Sequence, residues 1–196
     1  MKKMVRILLL GLSVTSSPSF GADFQKGMAA YNTENYAAAL REWTALAEQG
    51  DAEAQFNVGN MYDRGEGVIQ DYKTAAKWYA LAAEQGHIKA QFNVGNMYYK
   101  GLGLIQDYKT AAKWYALAAE QGYAAAQSNL GIMYYKGEGV TKDSVYAHMW
   151  ANIASYNGDE RAGGLRKDFA ESMTVSQIEK AQDLARECVA MNYKGC

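Results

Sequence analysis

Few residues of this 196-residue chain are of the types that most often carry out chemistry. Its histidines are His87 and His148, and its cysteines are Cys188 and Cys196, in the C-terminal stretch ECVAMNYKGC. These side chains form neither a Cys-x-x-Cys pair nor a cluster with the spacing of zinc ligands, so the sequence predicts no metal site. We expect His87 to be exposed at a turn, and His148, beside Trp150, to pack or to form a hydrogen bond.

Catalytic motifs are also missing from the sequence. It contains no P-loop, no Gly-x-Ser-x-Gly and no His-Glu-x-x-His, and no serine stands three residues before a lysine. Threonine has that spacing at Thr74–Lys77 and Thr110–Lys113, where we interpret it as a capping and surface residue of a helix. We therefore expect a protein that is not an enzyme and has no cofactor.

The N terminus has the three parts of a secretory signal peptide: a basic stretch (1–6), an apolar run (7–14) and a small polar stretch that ends at Gly21. The apolar run is far shorter than the ~20 residues that span a bilayer. We predict cleavage near Gly21, a periplasmic or secreted protein and no membrane insertion. Disulfides persist in such compartments, so Cys188 and Cys196 are predicted to form one.

The charge of the chain argues against nucleic acid as a partner. Removal of residues 1–21 takes away three of the 20 basic residues and none of the 21 acidic ones, which leaves a net charge of −4. The remaining charges are well mixed and form no basic stripe of the kind that binds nucleic acid or an anionic membrane.

A 36-residue repeat organises the rest of the chain. Ile69–Gly86 recurs without change as Ile105–Gly122. AQFNVGNMY at 54–62 recurs at 90–98 and, as AQSNLGIMY, at 126–134. Self-similarity at such a period is typical of solenoids rather than of a single globular core.

Each unit is predicted to be a pair of helices. Ala54 and Val58 share one face of the first helix with Gly59, which lets a neighbouring helix come close. Asp71 is placed to cap the second helix, and Gly86 to end it. Because a single pair cannot bury both of its faces, the units must stack.

The predicted organisation is an all-α stack followed by a helical cap. Its parts are a signal peptide (1–21), a divergent first unit (22–53), repeats at 54–89, 90–125 and 126–158, and the cap (159–196). In the cap we expect two helices, around 159–172 and 175–191. A capping box between Thr174 and Gln177 begins the second of them.

These residues resemble the Sel-one-like repeat family, a relative of the tetratricopeptide repeats. The family pattern Ala-x-x-x-Leu-Gly-x-x-Tyr, Gly-x-Gly-Val, Asp and Ala-x-x-Trp-Tyr-x-x-Ala-Ala-x-x-Gly is matched over 54–86, 90–122 and 126–158, the last with Ala151 in place of the tyrosine. The stretch from 150 to 185 is similar to the end segment of exported bacterial members. The resemblance implies a right-handed α/α superhelix with no shared catalytic residues, which acts as an adaptor or regulator in the envelope through contacts with another protein.

The face opposite Ala54 and Val58 carries polar residues that recur in every unit. By analogy with tetratricopeptide stacks, we predict that this face lines the concave groove and binds the backbone and carboxylates of a partner. Asparagine is a mediocre helix former, and we expect no packing role to explain its recurrence. Duplication alone is the alternative explanation. The predicted groove ladder consists of Asn57, Asn60, Arg64, Asn93, Asn96, Lys100, Asn129, Ile132 and Lys136.

Phe56 and Phe92 flank the groove ladder, either as anchors for a partner or as packing residues between units. The predicted function is that of an exported, monomeric, non-enzymatic adaptor or regulator whose partner is an envelope receptor or a secretion or assembly component. The alternatives are a module that binds peptidoglycan or polysaccharide through tyrosines and asparagines, and a cell-wall hydrolase, for which the sequence nominates no residue.

Overall fold

The computed structural model describes residues 23–196. The predicted signal peptide lies outside the described residues. Between 23 and 196 the chain forms ten helices and no strand, as the all-α prediction requires. The helices are α1 (Phe24–Asn32), α2 (Tyr36–Glu48), α3 (Ala52–Arg64), α4 (Tyr72–Glu84), α5 (Ile88–Lys100), α6 (Tyr108–Ala119), α7 (Ala124–Lys136), α8 (Ser144–Tyr156), α9 (Ala162–Ala170) and α10 (Val175–Ala190).

The first eight helices form four antiparallel pairs in a solenoid. α1 packs on α2, α3 on α4, α5 on α6 and α7 on α8, and the second helix of each pair also packs on the first helix of the next. Each unit thus buries one face within itself and another against its neighbour, as expected for a stack. None of the helices between 23 and 196 is long and apolar enough to cross a membrane.

Short polar motifs fix where the helices begin and end. The Asp71 carboxylate accepts the backbone N–H of Lys73 at 2.9 Å, and Asp107 and Asp143 cap α6 and α8 in the same way. At the other end of α3, α5 and α7 a glycine adopts the left-handed conformation, with φ of 72° at Gly65. The predicted cap at Asp71 is confirmed, and so is the capping box at the start of α10.

The glycines inside the first helices permit close packing within each pair. A Cβ atom added to Gly59 would lie 2.6 Å from the ring of Tyr79, and one added to Gly95 would lie 2.7 Å from the ring of Tyr115. Both rings are almost fully buried. The prediction that Gly59 lets a helix approach closely is therefore confirmed.

Buried glutamines join one unit to the next. The side-chain amides of Gln55, Gln91 and Gln127 donate to the carbonyls of Ala47, Ala83 and Ala119 of the preceding unit, at 3.0, 3.2 and 3.0 Å. Their oxygens accept from Gln85, Gln121 and Asn157, at 2.8, 2.8 and 2.9 Å. We call these three glutamines the glutamine ladder. It satisfies buried polar groups at every junction, which keeps burial from being costly.

The last two helices cover the end of the stack in different ways. α9 packs against α8, as the first helix of a further unit would. α10 also packs against α8 rather than completing a pair with α9. The predicted disulfide joins Cys188 to Cys196, with their Cα atoms 5.6 Å apart. Between them, the Tyr193 hydroxyl donates to Asn157 at 2.9 Å, which ties the C-terminal segment to the last junction.

Candidate functional site

The groove ladder comes from the first helix of each repeat. α3 supplies its residues between 57 and 64, α5 those between 93 and 100, and α7 those between 129 and 136. The cations Arg64, Lys100 and Lys136 are exposed, whereas the asparagines are half-buried. The structure therefore places all nine residues on the first helices of three successive repeats, but it separates those with a packing role from those that face solvent.

Two of the predicted asparagines have a structural role. The Asn60 side-chain oxygen accepts a hydrogen bond from the Tyr79 hydroxyl at 2.8 Å, and Asn96 accepts one from Tyr115 at 2.7 Å. The expectation that no packing role explains the asparagines is wrong at these two positions. A buried phenol needs a partner, and the asparagine one helix away provides it.

The next unit also contributes to the environment of each buried phenol. Burial raises the pKa of Tyr79, the Asp63 carboxylate raises it further, and the Asn93 amide acts in the opposite direction. Burial likewise raises the pKa of Tyr115, against the opposing effect of Asn129. Asn93 and Asn129 thus lie close to a phenol of the preceding unit.

Ile132 differs from its two counterparts because the end of the stack covers it. It packs on a buried cluster of Ala147, Ala151 and Phe169, the last from α9. Ala151 stands where the earlier units have the tyrosine that needs an asparagine partner. The apolar side chain of Ile132 thus packs against the end of the stack, although it also borders the cavity described below.

The three cations of the ladder differ in their partners. Arg64 lies 3.7 Å from Glu66, and Lys136 lies 3.7 Å from Glu138. The position after Lys100 that corresponds to these glutamates holds Leu102. Within residues 23–196, Lys100 has no acidic side chain at ion-pairing distance.

The paired glutamates also bind a tyrosine of the preceding unit. Tyr31 donates to Glu66, and Tyr99 to Glu138, both at 2.7 Å. The hydrogen bond to Glu66, together with burial, raises the pKa of Tyr31, whereas for Tyr99 burial is the larger cause and Glu138 the second. The equivalent contact is missing between the second and third units, where Asp63 and Leu102 occupy the two positions.

A cavity of about 340 Å³ lies between α5 and α7, beside Lys100. It brings together four residues of the predicted ladder, Phe92, which the sequence offered as a possible anchor, and three residues that the sequence did not indicate. Its lining consists of Phe92, Asn96, Tyr99, Lys100, Tyr115, Asn129, Ile132 and Arg161. A smaller cavity of about 120 Å³ adjoins Lys100 on the side of Asp63 and Leu102.

Arg161 enters the cavity from the segment between α8 and α9. Its Nε and Nη2 atoms donate to the Asp159 carboxylate at 3.1 and 2.8 Å. Burial alone would raise the pKa of Asp159, but the hydrogen bonds from Arg161 outweigh it and hold that pKa below its usual value. Asp159 stands where the earlier units have His87 and Tyr123, so the sequence departs from the repeat here, but this departure does not indicate that Arg161 enters the cavity.

The aromatic residues beside the ladder take part in packing. The Phe56 ring stacks on His87 with 4.5 Å between centroids, and Phe92 contacts Tyr123 at 5.1 Å. His87 is half-buried, and its Nδ1 accepts the backbone N–H of Ala90, so the expectation of an exposed histidine is wrong. Phe56 is therefore a residue that packs between units, while Phe92 packs and also borders the cavity.

A second cavity, also of about 340 Å³, lies between α8 and α10. Its lining includes Asn152, Tyr156 and Arg186. The Asn152 amide is already engaged, by the His148 ring at 2.9 Å and by Arg166 at 3.3 Å. His148 is itself buried, as expected for a packing residue.

Comparison with known proteins agrees with this architecture. Three consecutive segments, residues 52–87, 88–123 and 124–159, match the Sel1 repeat. Their first residues coincide with the starts of α3, α5 and α7, two residues before the unit boundaries that the sequence predicts. No protein of curated function matches the chain.

Two solved structures have the same fold. A Sel1 repeat protein from Oxalobacter formigenes is 31% identical, with a TM-score of 0.72 over 85% of this chain and 75% of that one. A protective antigen of uropathogenic Escherichia coli with an SLR fold is 29% identical, with a TM-score of 0.52 over 87% of this chain and 46% of that one. The repeat segments, the stacked helix pairs and these likenesses together show that the chain belongs to the Sel1 repeat family, whose helical repeats form scaffolds for protein–protein interaction.

Proposed function

We propose that this protein is an exported, non-enzymatic adaptor or regulator of the bacterial envelope that binds another protein along the α3–α5–α7 face. The partner is an envelope receptor or a component of a secretion or assembly system, and the protein acts as a monomer. The observation that carries the proposal is the cavity beside Lys100. It combines exposed cations, amides and aromatic rings on the face where the repeat leaves side chains free to bind.

The composition of this face supports a protein partner. Half-buried asparagines carry both donors and acceptors, which suit the backbone of an extended segment. Phe92 and Ile132 offer apolar surface beside them. Interfaces between proteins combine such an apolar centre with a polar rim.

Export is supported by the cysteines. Both are joined in one disulfide, and no free cysteine remains between 23 and 196. Disulfides of this kind persist in oxidising compartments. Fractionation of the source cell and mass spectrometry of the purified protein test this part: we expect a periplasmic or secreted protein that lacks residues 1–21.

Capture of partners from an envelope extract tests the binding surface. The protein is produced in the source cell, cross-linked and recovered through a C-terminal tag. A variant with Asn93→Glu and Asn129→Glu is compared with a control that carries Thr141→Glu and Ser176→Glu, which adds the same charge at exposed positions away from the cavity. We expect a protein that is recovered with the wild type and the control but lost with the groove variant.

The contrary outcomes are distinct. A partner retained by the groove variant would place the binding surface elsewhere. Recovery of glycan without any protein, lost in the groove variant, would instead identify a module that binds envelope polysaccharide. Helical content measured by circular dichroism ensures that loss of binding does not reflect unfolding.

A further inference from the structure

We propose that the cavity between α5 and α7 binds a carboxylate, the side chain of a glutamate or aspartate in an extended segment of the partner protein. This inference rests on the proposed function and specifies which chemistry the partner presents. It is carried by the difference between Lys100 and the other two cations of the ladder.

Lys100 is the one ladder cation that lacks a partner among residues 23–196. Arg64 and Lys136 are each neutralised by a glutamate two residues further along the chain. At the corresponding position after Lys100 the chain has Leu102, although the surrounding repeat is nearly identical. An ammonium group at the mouth of a cavity attracts an anion, and it does so more strongly than it would in open solvent.

Arg161 adds a guanidinium to the same cavity. Asp159 balances its charge, so Arg161 contributes a hydrogen-bond donor, and Lys100 supplies the charge without a partner. Two nitrogens of Arg161 are held by Asp159, whose side chain is only 8% exposed and is thereby shielded from a ligand. Its Nη1 makes no hydrogen bond to any residue from 23 to 196 and remains available to donate. A guanidinium fixed in this way loses little conformational freedom when it binds a carboxylate.

The amide of Asn96 also presents a donor. Its oxygen accepts the hydroxyl hydrogen of Tyr115, so its N–H groups are left for a ligand. Glu138, which lies beside the lining residue Tyr99, is already engaged by Tyr99 and Lys136. Asp63 borders the smaller cavity on the other side of Lys100 but is beyond ion-pairing distance of it. The free polar groups of the cavity are therefore mainly hydrogen-bond donors, and charge-assisted bonds from such donors to a carboxylate are strong.

The apolar part of the lining favours an amino-acid side chain over a bare inorganic anion. Phe92 and Ile132 border the cavity together with the donors. The methylene groups of a glutamate can pack on these two side chains while its carboxylate reaches Lys100 and Arg161. Inorganic phosphate has no apolar portion to match them.

The test uses two labelled peptides and the whole protein. One is a dodecapeptide of alternating glycine and glutamate, and the other has glutamine in place of glutamate. Fluorescence anisotropy measures their affinities at two salt concentrations. We expect the glutamate peptide to bind at least about tenfold more tightly than the glutamine peptide, with a difference that shrinks as salt rises.

Variants at two positions locate the bound carboxylate. Leu102→Glu gives Lys100 the partner that Arg64 and Lys136 have, and Leu102→Gln is its uncharged control. Lys100→Gln removes the cation, and Lys113→Gln removes the same charge from the exposed side of α6. We expect Leu102→Glu and Lys100→Gln to weaken binding of the glutamate peptide about tenfold, and both controls to leave it within about twofold of the wild type.

Several results would overturn the inference. If Lys113→Gln weakens binding as much as Lys100→Gln, the affinity for the peptide depends on the overall charge of the protein and not on the cavity. If inorganic phosphate competes with the peptide as well as free glutamate does, the apolar wall gives no selectivity. If alginate, an anionic polysaccharide, binds in a Lys100-dependent manner and the peptide does not bind, the ligand is a glycan.

The capture experiment separates failure of this inference from failure of the proposed function. Loss of the partner in the Asn93→Glu/Asn129→Glu variant, but not in Leu102→Glu or Lys100→Gln, would leave the adaptor function intact and refute the carboxylate. In the opposite outcome, peptide binding depends on Lys100 while every groove variant still captures the partner as the wild type does. That result would support a carboxylate site in the cavity and refute the proposed surface for the partner.

Discussion

The second and third repeats have the same two helices but differ in what their second helix shows to the outside. On α6 the outer face is exposed and mostly polar. On α8 the corresponding positions are apolar, and the two central ones are 1% exposed. The residues in question are Lys109, Lys113 and Leu117 on α6, with the half-buried Glu120 at its end, and Val145, Met149, Ile153 and Tyr156 on α8.

The cap accounts for this difference. Met149 and Ile153 belong to a buried cluster with Ala181 and Cys188 of α10, so the outer face of α8 is an interface rather than a surface. Burial of such side chains stabilises the contact by roughly 25 cal/mol per Å² of apolar area. A departure from the repeat therefore marks a place where something other than another repeat packs.

A second set of departures lies on the other side of the third repeat. Where the second repeat has the hydrogen-bonded pair Tyr115 and Asn96, the third has Ala151 and Ile132. Phe169 of α9 fills the space there and stacks on Tyr135 with 4.7 Å between ring centroids. The two substitutions thus form a spatially matched pair, although nineteen residues separate the two positions in the chain.

The largest expected effect is the loss of a buried ring from the regular part of the stack. Tyr115→Ala removes a side chain that is 1% exposed and leaves Asn96 without its partner. We expect the free energy of unfolding, measured by urea denaturation, to fall by about 3–5 kcal/mol. The double variant with Asn96→Ile copies the third repeat but has no Phe169 to fill the space, so full recovery of stability would contradict our explanation.

A charge placed under the cap is the next strongest test. Met149→Lys copies the residue that α6 has at this position, but it buries an unpaired ammonium beneath α10. We expect a loss of about 3 kcal/mol, limited because α10 can detach instead. Hydrogen exchange of the α10 amides measures this.

The matched substitution Lys113→Met on α6 is the control, and it should change stability by less than about 0.5 kcal/mol because the site is exposed. Equal effects of the two substitutions would show that the outer faces of α6 and α8 do not differ as described.

The disulfide is expected to stabilise the cap and to have no effect on the stability of the repeats. Replacement of Cys188 and Cys196 by serine opens a loop with a sequence separation of eight residues. The chain-entropy estimate for so small a loop is roughly 2–3 kcal/mol. We expect faster hydrogen exchange in α10 and the segment that follows, with unchanged exchange in α3–α6. Faster exchange throughout the chain would mean that the bridge supports the whole stack.

The smallest effect concerns pH and the third repeat alone. Burial lowers the pKa of His148, and the nearby Arg166 lowers it further. Because the folded protein has the lower pKa, this contribution is fully present above the pKa of the unfolded histidine and is lost as pH falls below it. Between pH 7 and 5 we therefore expect the free energy of unfolding to fall, by less than in the variants above because only one group contributes.

His148→Ala places at this position the residue that α4 and α6 carry as Ala76 and Ala112, and it should remove that part of the pH dependence. Urea denaturation of both proteins at several pH values is the measurement. An identical loss in the variant would assign the dependence to other groups.

The regular part of the fold could be predicted from sequence because its determinants are local or repeated. Asp71 identifies a helix start by itself, and the recurrence of Gly59 as Gly95 identifies a close contact. The pairing of Asn60 with Tyr79 could also have been predicted from the sequence. The chain contains two copies with both residues and one, Ile132 with Ala151, that lacks both.

The packing of α10 and the position of Arg161 could not be predicted from the sequence. Both depend on how the cap folds back onto α8, which is a contact between segments that do not repeat. The apolar outer face of α8 indicates that something covers it, but any apolar helix would serve. Arg161 enters the cavity only because α9 takes the place of a further first helix. Nothing in its local sequence specifies that direction.

The glutamine ladder has a consequence for how such a protein changes length over generations. Each of its glutamines donates to a backbone carbonyl in the preceding unit and accepts from a side-chain amide in its own unit. Every junction therefore uses the same contacts, and none depends on residues that only two particular units have. A gene that gained another copy of residues 71–106 by recombination between its two identical stretches would encode a chain whose new junction is satisfied at once. The number of units can thus change without compensating substitutions at the new junction, and each added unit lengthens the binding face by one helix.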